Sequence, residues 1–147
     1  MGASPAIQNA LVALQGPLGA GKTTFARALL QSLGVQGRIK SPTYALLETY
    51  EVQALCIAHL DLYRMNQPRE WETAGLRDTV AAPGLKLVEW PERALGYLPQ
   101  PDLTLSIEVL GDVEGGDEAA APPRRVTLQA HSASGESLMA AAAVAQP

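Results

Sequence analysis

Residues 10–24, ALVALQGPLGAGKTT, decide how the rest of the chain is read. An apolar run, Ala10–Leu14, leads into Gly16-x-x-x-x-Gly21-Lys22-Thr23, and a helix-forming run, Thr24–Leu33, follows. Strand, glycine-rich loop and helix in that order make a phosphate-binding loop. Wrapping a backbone around a polyphosphate needs glycines that accept unusual φ/ψ and let main-chain N–H groups approach the anion. Lys22 supplies a point charge for the β- and γ-phosphates, and the Thr23 hydroxyl a ligand for Mg²⁺. The helix that follows turns its positive end to the same place.

Outward from that loop, the charge distribution says more than its sum. The chain of 147 residues carries a formal charge of −4, which argues against binding nucleic acid by electrostatics alone. Residues 1–47 hold Lys22, Arg27, Arg38 and Lys40 and no acid, whereas the remainder has seven basic and fifteen acidic groups. The two parts are +4 and −8; a basic part around the phosphate loop fits an anionic ligand, with composition drift as the alternative. The single cysteine, Cys56, excludes an internal disulfide; within the apolar run Ala54–Ala58 it is expected to be a small buried hydrophobe. No apolar run approaches a membrane span, and the N-terminus lacks a signal-peptide pattern, so a cytoplasmic location and no membrane partner are expected.

Length and pattern predict an α/β fold of the P-loop NTPase type: three layers around a mixed, parallel plus antiparallel, central sheet. A single P-loop domain is expected over 10–143, after a short lead at 1–9. Two strands, Tyr44–Val52 and Ala54–Leu62, lie close enough to pair antiparallel. Pro68 opens a predicted helix over Arg69–Ala74, ended by Gly75. Leu85–Trp90 reads as a buried strand closed by Glu89 and Pro91. Leu103–Leu110 alternates, with Leu103, Leu105, Ile107 and Val109 on one face. Residues 111–123, acidic and rich in Gly, Ala and Pro, are expected to form a flexible loop; their spacing fails a Ca²⁺-binding loop. A last strand, Arg124–Ala130, precedes a helix over Ser134–Ala143.

A phosphate loop binds a nucleotide, but turnover also needs acids at the ends of neighbouring strands. Asp61 closes one apolar run and Glu89 another, and in an open α/β sheet ligands lie beyond the carboxyl ends of the parallel strands. One of the two would hold Mg²⁺ and the other orient the attacking water. Thr43, in Ser41-Pro42-Thr43-Tyr44, stands where a nucleotide switch would, able to reach the metal or the γ-phosphate. Lys40 reads equally as a solvated loop lysine. His59 shares a strand face with Asp61 and reads as a core or supporting residue rather than a catalytic one. Trp71 and Trp90 read as core or interface anchors, and Arg124 and Arg125 as exposed strand residues within possible reach of phosphate.

Taken together, Gly16-Pro-Leu-Gly-Ala-Gly-Lys-Thr-Thr-Phe25, Lys40-Ser-Pro-Thr-Tyr44, His59-Leu-Asp-Leu-Tyr-Arg64, Glu70-x-Glu72-x-x-Gly75 and Val88-Glu-Trp-Pro91 resemble, in order and spacing, the TsaE (YjeE) family. That family is the bacterial ATPase subunit needed to make threonylcarbamoyladenosine in tRNA. The resemblance implies ATP and Mg²⁺ as cofactors, with a threonylcarbamoyl transferase subunit and its dimerisation partner as partners, and tRNA contacted indirectly or weakly. By position it implies that Gly16, Gly19, Ala20, Gly21, Lys22, Thr23 and Thr24 line the phosphates. Thr23 and Glu89 become the Mg²⁺ ligands, Asp61 the acid needed for hydrolysis and Thr43 the switch threonine, so Lys22, Asp61 and Thr43 form the catalytic set. Pro17 replaces an acid common in the family. The family's N-terminal strand and helix, which contribute base contacts, are expected to be missing here.

A small-molecule or nucleoside kinase is the competing reading. Such a kinase usually closes an Arg-rich lid over the phosphates, and 111–123 contains neither Arg nor Lys. A nucleotide-binding regulator without turnover is the third.

Overall fold

The computed structural model describes residues 5–111 and 122–144. After a 3₁₀ turn at Pro5–Gln8, β1 (Asn9–Gln15) runs into the glycine-rich loop and α1 (Lys22–Ser32). Next come β2 (Leu47–Val52), β3 (Leu55–Asp61), two short helices, α2 (Glu70–Thr73) and α3 (Leu76–Ala81), and β4 (Gly84–Glu89). A 3₁₀ turn at Pro91–Ala94 leads to β5 (Leu103–Val109); β6 (Arg124–Ala130) and α4 (Ala133–Val144) follow.

The six strands form one sheet in the order β2-β3-β4-β1-β5-β6. β3, β4, β1 and β5 are mutually parallel, and the edge strands β2 and β6 run antiparallel to their neighbours. This is the mixed sheet expected from the sequence. Central parallel strands are covered on both faces, which is why β1 and β4 read as continuous apolar runs; every residue of β4 is buried.

Alternation along the strands sends side chains to two cores. On one face, Val12 and Leu14 of β1 and Leu85 and Leu87 of β4 pack against Ala26 and Leu30 of α1, with Leu138 and Met139 of α4 at the margin. On the other, Leu11, Leu60 and Val88 pack against Trp71, Leu76 and Val80 of α2 and α3. Three layers result, and among the described residues no helix is long and apolar enough to cross a membrane.

The structure departs from the sequence reading at Gly75, at Cys56 and at Val109. The helix expected over Arg69–Ala74 is the four residues Glu70–Thr73, and Gly75 both ends it and opens α3, which the sequence reading missed. Cys56 is exposed, not buried. It points to the face where cover by α2 and α3 begins only at Ala58. Val109 shares the parity of Leu103, Leu105 and Ile107 but is 40% exposed, because β5 runs past its cover. Of the loop expected over 111–123, residues 112–121 lie outside the described residues.

Candidate functional site

Three parallel strands end level with one another. Glu89, the last residue of β4, pairs in register with Leu14 of β1 on one side and Asp61 of β3 on the other. The crossing bonds hold past the strand ends, with Leu62 N–H donating to Glu89 O and Trp90 N–H to Leu14 O. Asp61 and Glu89 are therefore delivered side by side where β1 gives way to the glycine-rich loop. That edge is the carboxyl end of the parallel sheet, where ligands bind in this architecture.

The loop's shape follows from two glycines. Gly16 has φ 152°, and a Cβ there would lie 2.7 Å from the carbonyl oxygen of Ile107. Gly21, with φ 111°, turns the chain into α1 at its first residue, Lys22. L-residues resist this left-handed region, so both positions favour glycine on conformational grounds. Phe25 N–H donates to Gly21 O, closing the first helical turn.

Lys22 is 4% exposed. Its Nζ donates to Gly16 O at 2.5 Å and Pro17 O at 3.0 Å, and lies 3.9 Å from the centre of the Trp90 ring. Burial lowers the Lys22 pKa, opposed by the charges of Glu89, Glu92 and Asp61. Trp90 adopts a left-handed φ of 58° immediately after β4 and also packs on Tyr63, ring centres 5.0 Å apart. A non-glycine residue held there is strained unless its surroundings fix it.

Glu89 is buried and divided between two partners. Its Oε1 accepts from the Thr23 hydroxyl at 2.7 Å, and its Oε2 lies 2.6 Å from His59 Nε2. The other ring nitrogen of His59, Nδ1, is buried and without a partner among the described residues. Asp61, 3% exposed, accepts from the Tyr63 N–H at 3.0 Å and from the Thr43 hydroxyl at 3.1 Å. Burial raises the Asp61 pKa and the neighbouring Glu89 charge adds to it, while the Tyr63 N–H, the Thr43 hydroxyl and His59 pull it back.

A turn brings Thr43 to this edge. Leu46 N–H donates to Pro42 O, and Asp61 N–H to Leu46 O, which pins the Ser41–Leu46 segment to the end of β3. The Ser41 hydroxyl is 2.7 Å from that of Thr43.

These groups line a cleft of about 560 Å³. Its walls include Gly19, Ala20, Gly21, Lys22, Thr23 and Thr24 from the loop and α1, with Thr43, Asp61 and Glu89 facing them. Gly16 lies at the loop's base instead, against β5. Every residue singled out in the sequence for the chemistry thus meets at one edge. Lys40 is exposed and is not part of the cleft wall.

Two residues at the cleft, Trp90 and Arg124, read from the sequence mainly as an anchor and an exposed strand residue. Trp71 is the core residue expected, 1% exposed, but Trp90 covers the loop lysine. Its position directly after a strand-ending acid was the available signal. Arg124 lines the cleft and lies against the loop, with Nη2 3.5 Å from Gly19 O, whereas Arg125 faces Glu108 at 3.9 Å outside it.

Chemically, the edge offers hard oxygen donors, Glu89, Asp61 and the Thr23 hydroxyl, beside one buried ammonium and the N-terminus of a helix. Mg²⁺ is typically held by one or two carboxylates together with substrate phosphates, so this donor set fits it. Among the described residues no three His, Cys, Asp or Glu side chains cluster so as to hold a metal on their own.

The family described as "Threonylcarbamoyl adenosine biosynthesis protein TsaE" matches residues 2–115. Similar curated proteins, each named tRNA threonylcarbamoyladenosine biosynthesis protein TsaE, include one from Haemophilus influenzae, 45% identical over 102 residues, or 69% of this chain and 65% of that protein. The chain thus spans just under two thirds of that relative's length. A relative from Treponema pallidum is 38% identical over 71% of this chain and 77% of its own. The crystal structure of Bacillus subtilis YdiB superposes with a TM-score of 0.72 at 28% identity, covering 93% of this chain and 78% of that one. With the family model matched over most of this sequence and relatives 38–45% identical, the chain belongs to the TsaE family.

Proposed function

We propose that this chain is a cytoplasmic, Mg²⁺-dependent ATP-binding and ATP-hydrolysing subunit. In this reading it supports formation of threonylcarbamoyladenosine in tRNA through a partner transferase and that transferase's dimerisation partner. The family and the names of its relatives support the pathway. The observation that carries the hydrolytic role is the pair of level strand ends, which puts Asp61 and Glu89 together beside the phosphate loop.

The residues divide the work as follows. Lys22 leaves the Gly16 and Pro17 carbonyls to bind the β- and γ-phosphates; those carbonyls are replaced by phosphate oxygens, so its ammonium stays satisfied. Thr23 and Glu89, already bonded to each other, are the pair that would hold Mg²⁺, which when bound neutralises charge developing on the phosphates. His59 keeps Glu89 oriented from behind. Asp61, held by the Tyr63 N–H and the Thr43 hydroxyl, orients the attacking water. Thr43, on a segment fixed by few bonds, can exchange Asp61 for the γ-phosphate and release it after hydrolysis. The net charge of −4 fits a subunit whose tRNA contact is indirect or weak.

The test is phosphate release from ATP by the chain with no acceptor present, which a kinase would not give. Lys22→Ala is expected to abolish it, and the transferase with its partner to accelerate it. Release unaffected by Lys22→Ala would take the loop out of the reaction.

A further inference from the structure

Among the described residues, four other than glycine hold a left-handed φ: Leu46, Gln53, Ala54 and Trp90. Three have an evident cause. Gln53 (48°) and Ala54 (68°) are the two-residue turn between β2 and β3, and a hairpin turn of that length favours positive φ at both positions. Trp90 is fixed by the Lys22 ammonium over its ring and by Tyr63 beside it. Leu46, at 66°, has no such cause. It is half-buried, is packed into neither core, and stands immediately before β2. Its N–H donates to Pro42 O at 2.8 Å, so residues 42–46 make one helical turn. The residue that ends such a turn in left-handed geometry is ordinarily glycine or asparagine.

We propose that Leu46 is the hinge of the switch, a positioning residue whose strained backbone holds Thr43 on Asp61 in the nucleotide-free chain and relaxes when Thr43 moves to the γ-phosphate. The inference rests on the nucleotide reading above and deepens it. Both ends of the segment are anchored. Pro42 is buried, with φ fixed by its ring, and Leu46 O accepts from the Asp61 N–H at 3.0 Å. Between these anchors the Thr43 hydroxyl reaches Asp61 Oδ2 at 3.1 Å, while Tyr44 and Ala45 are exposed, the Arg64 guanidinium lying over the Tyr44 ring. Rotation about the Leu46 N–Cα bond swings the turn before it and leaves the Leu46 carbonyl on Asp61. It breaks one backbone bond, Leu46 N–H to Pro42 O, and carries Thr43 off the carboxylate. Left-handed geometry brings a side-chain Cβ too close to the following carbonyl oxygen, so the strain is present while the switch rests on Asp61 and is lost when it lets go. That release offsets part of the cost of giving up the Thr43 bonds to Asp61 and Ser41. Glycine in this place would remove the push and hold the switch where it is.

Leu46→Gly and Leu46→Ala make the test, because both remove the leucine side chain and only the alanine variant keeps the strain. Binding is measured by calorimetry for Mg-ADP and for the Mg complex of an ATP analogue with a non-hydrolysable β–γ bridge. Leu46→Gly is expected to bind the analogue about fivefold more weakly than Leu46→Ala. The two should bind ADP, which has no γ-phosphate to draw Thr43, within about twofold of each other. In urea the nucleotide-free Leu46→Gly chain should have the higher midpoint. A higher midpoint with equal affinity for the analogue would overturn the proposal, since Leu46 would then keep its left-handed φ in both states. A higher midpoint for Leu46→Ala would overturn it at the root, there being no strain to release. Equal weakening of both nucleotides by Leu46→Gly would also overturn it, in favour of a general loss of loop order. If Lys22→Ala loses the analogue while the two Leu46 variants bind it alike, only this inference falls; if the unaltered chain binds neither nucleotide, the nucleotide reading falls with it.

Discussion

Lys22 and Lys86 are both almost fully buried, 4% and 5% exposed, and burial lowers the pKa of each. They are nonetheless opposite in kind. Lys22 donates to two carbonyls of a surface loop and lies under an indole ring, with three carboxylates opposing the effect of burial. Lys86 donates to Asn9 Oδ1, at the start of β1, and to the carbonyl of Ala82, which ends α3; only Asp102 opposes its burial. Phosphate oxygens can replace the partners of Lys22 without disturbing the sheet. The partners of Lys86 are the sheet and a helix end, so its bonds tie β1, α3 and β4 together. Burial alone does not mark a functional lysine; what its protons hold does.

The widest gap between the two is expected from methionine at each position. Lys22→Met should lower phosphate release from ATP by at least about 100-fold. It should leave the stability of the nucleotide-free chain unchanged or raised in urea titrations. The sign follows from the lowered pKa: at neutral pH the protonated amine opposes folding, and that cost fades as pH rises toward the ordinary lysine value of 10.5. Destabilisation equal to that of Lys86→Met would erase the distinction.

Asp61→Asn takes the same contrast into the acids. Release of phosphate is expected to fall about 100-fold. The raised pKa of Asp61 means that the ionised carboxylate opposes folding at neutral pH, and that this cost disappears as pH falls below the ordinary carboxylate value. The asparagine variant should therefore be the more stable at pH 7, with the advantage shrinking toward pH 4. An asparagine variant less stable than the unaltered chain at pH 7, with the deficit shrinking on acidification, would show instead that Asp61 is a structural carboxylate.

How much of this was legible follows the range of the contacts. The phosphate loop is local: its glycines and its lysine and threonine all lie between Gly16 and Thr23, so its spacing was enough. Asp61 and Glu89 were legible because each ends an apolar run, and a parallel sheet levels such ends. The Lys22–Trp90 and Thr23–Glu89 contacts join residues more than 60 positions apart, and no periodicity encodes them. Helix α3 escaped notice because six residues with two buried apolar positions, Leu76 and Val80, barely complete one amphipathic repeat. Arg124 reaches the cleft only because β6 returns antiparallel along β5, an orientation that alternation alone leaves undefined.

Lys86→Met is expected to act on stability and not on turnover. It removes both bonds of the amine; Asn9 and Ala82 are exposed, so water takes over part of their bonding and the loss is about 0.5–1.5 kcal/mol per bond. Urea unfolding should register that loss, while phosphate release per folded molecule, measured well below the midpoint, stays at its original value. Lost turnover in a fully folded variant would mean that the amino end of the sheet is coupled to the site.

The smallest effect separates two neighbours on β6. Successive strand residues point to opposite faces, so Arg124 and Arg125 cannot both reach the cleft. Arg125 faces Glu108 at 3.9 Å with both side chains more than 60% exposed. Water screens such a pair, and holding two long side chains together costs entropy that offsets most of the attraction. Arg125→Ala is thus expected to change stability by less than about 0.5 kcal/mol, and added salt should change it no further. Its ATP affinity should match that of the unaltered chain, because Arg125 lies outside the cleft that Arg124 lines. If Arg125→Ala weakened ATP binding, the general positive charge of the β6 edge would be acting on the ligand, and the division of the two neighbours between cleft and solvent would carry no functional weight.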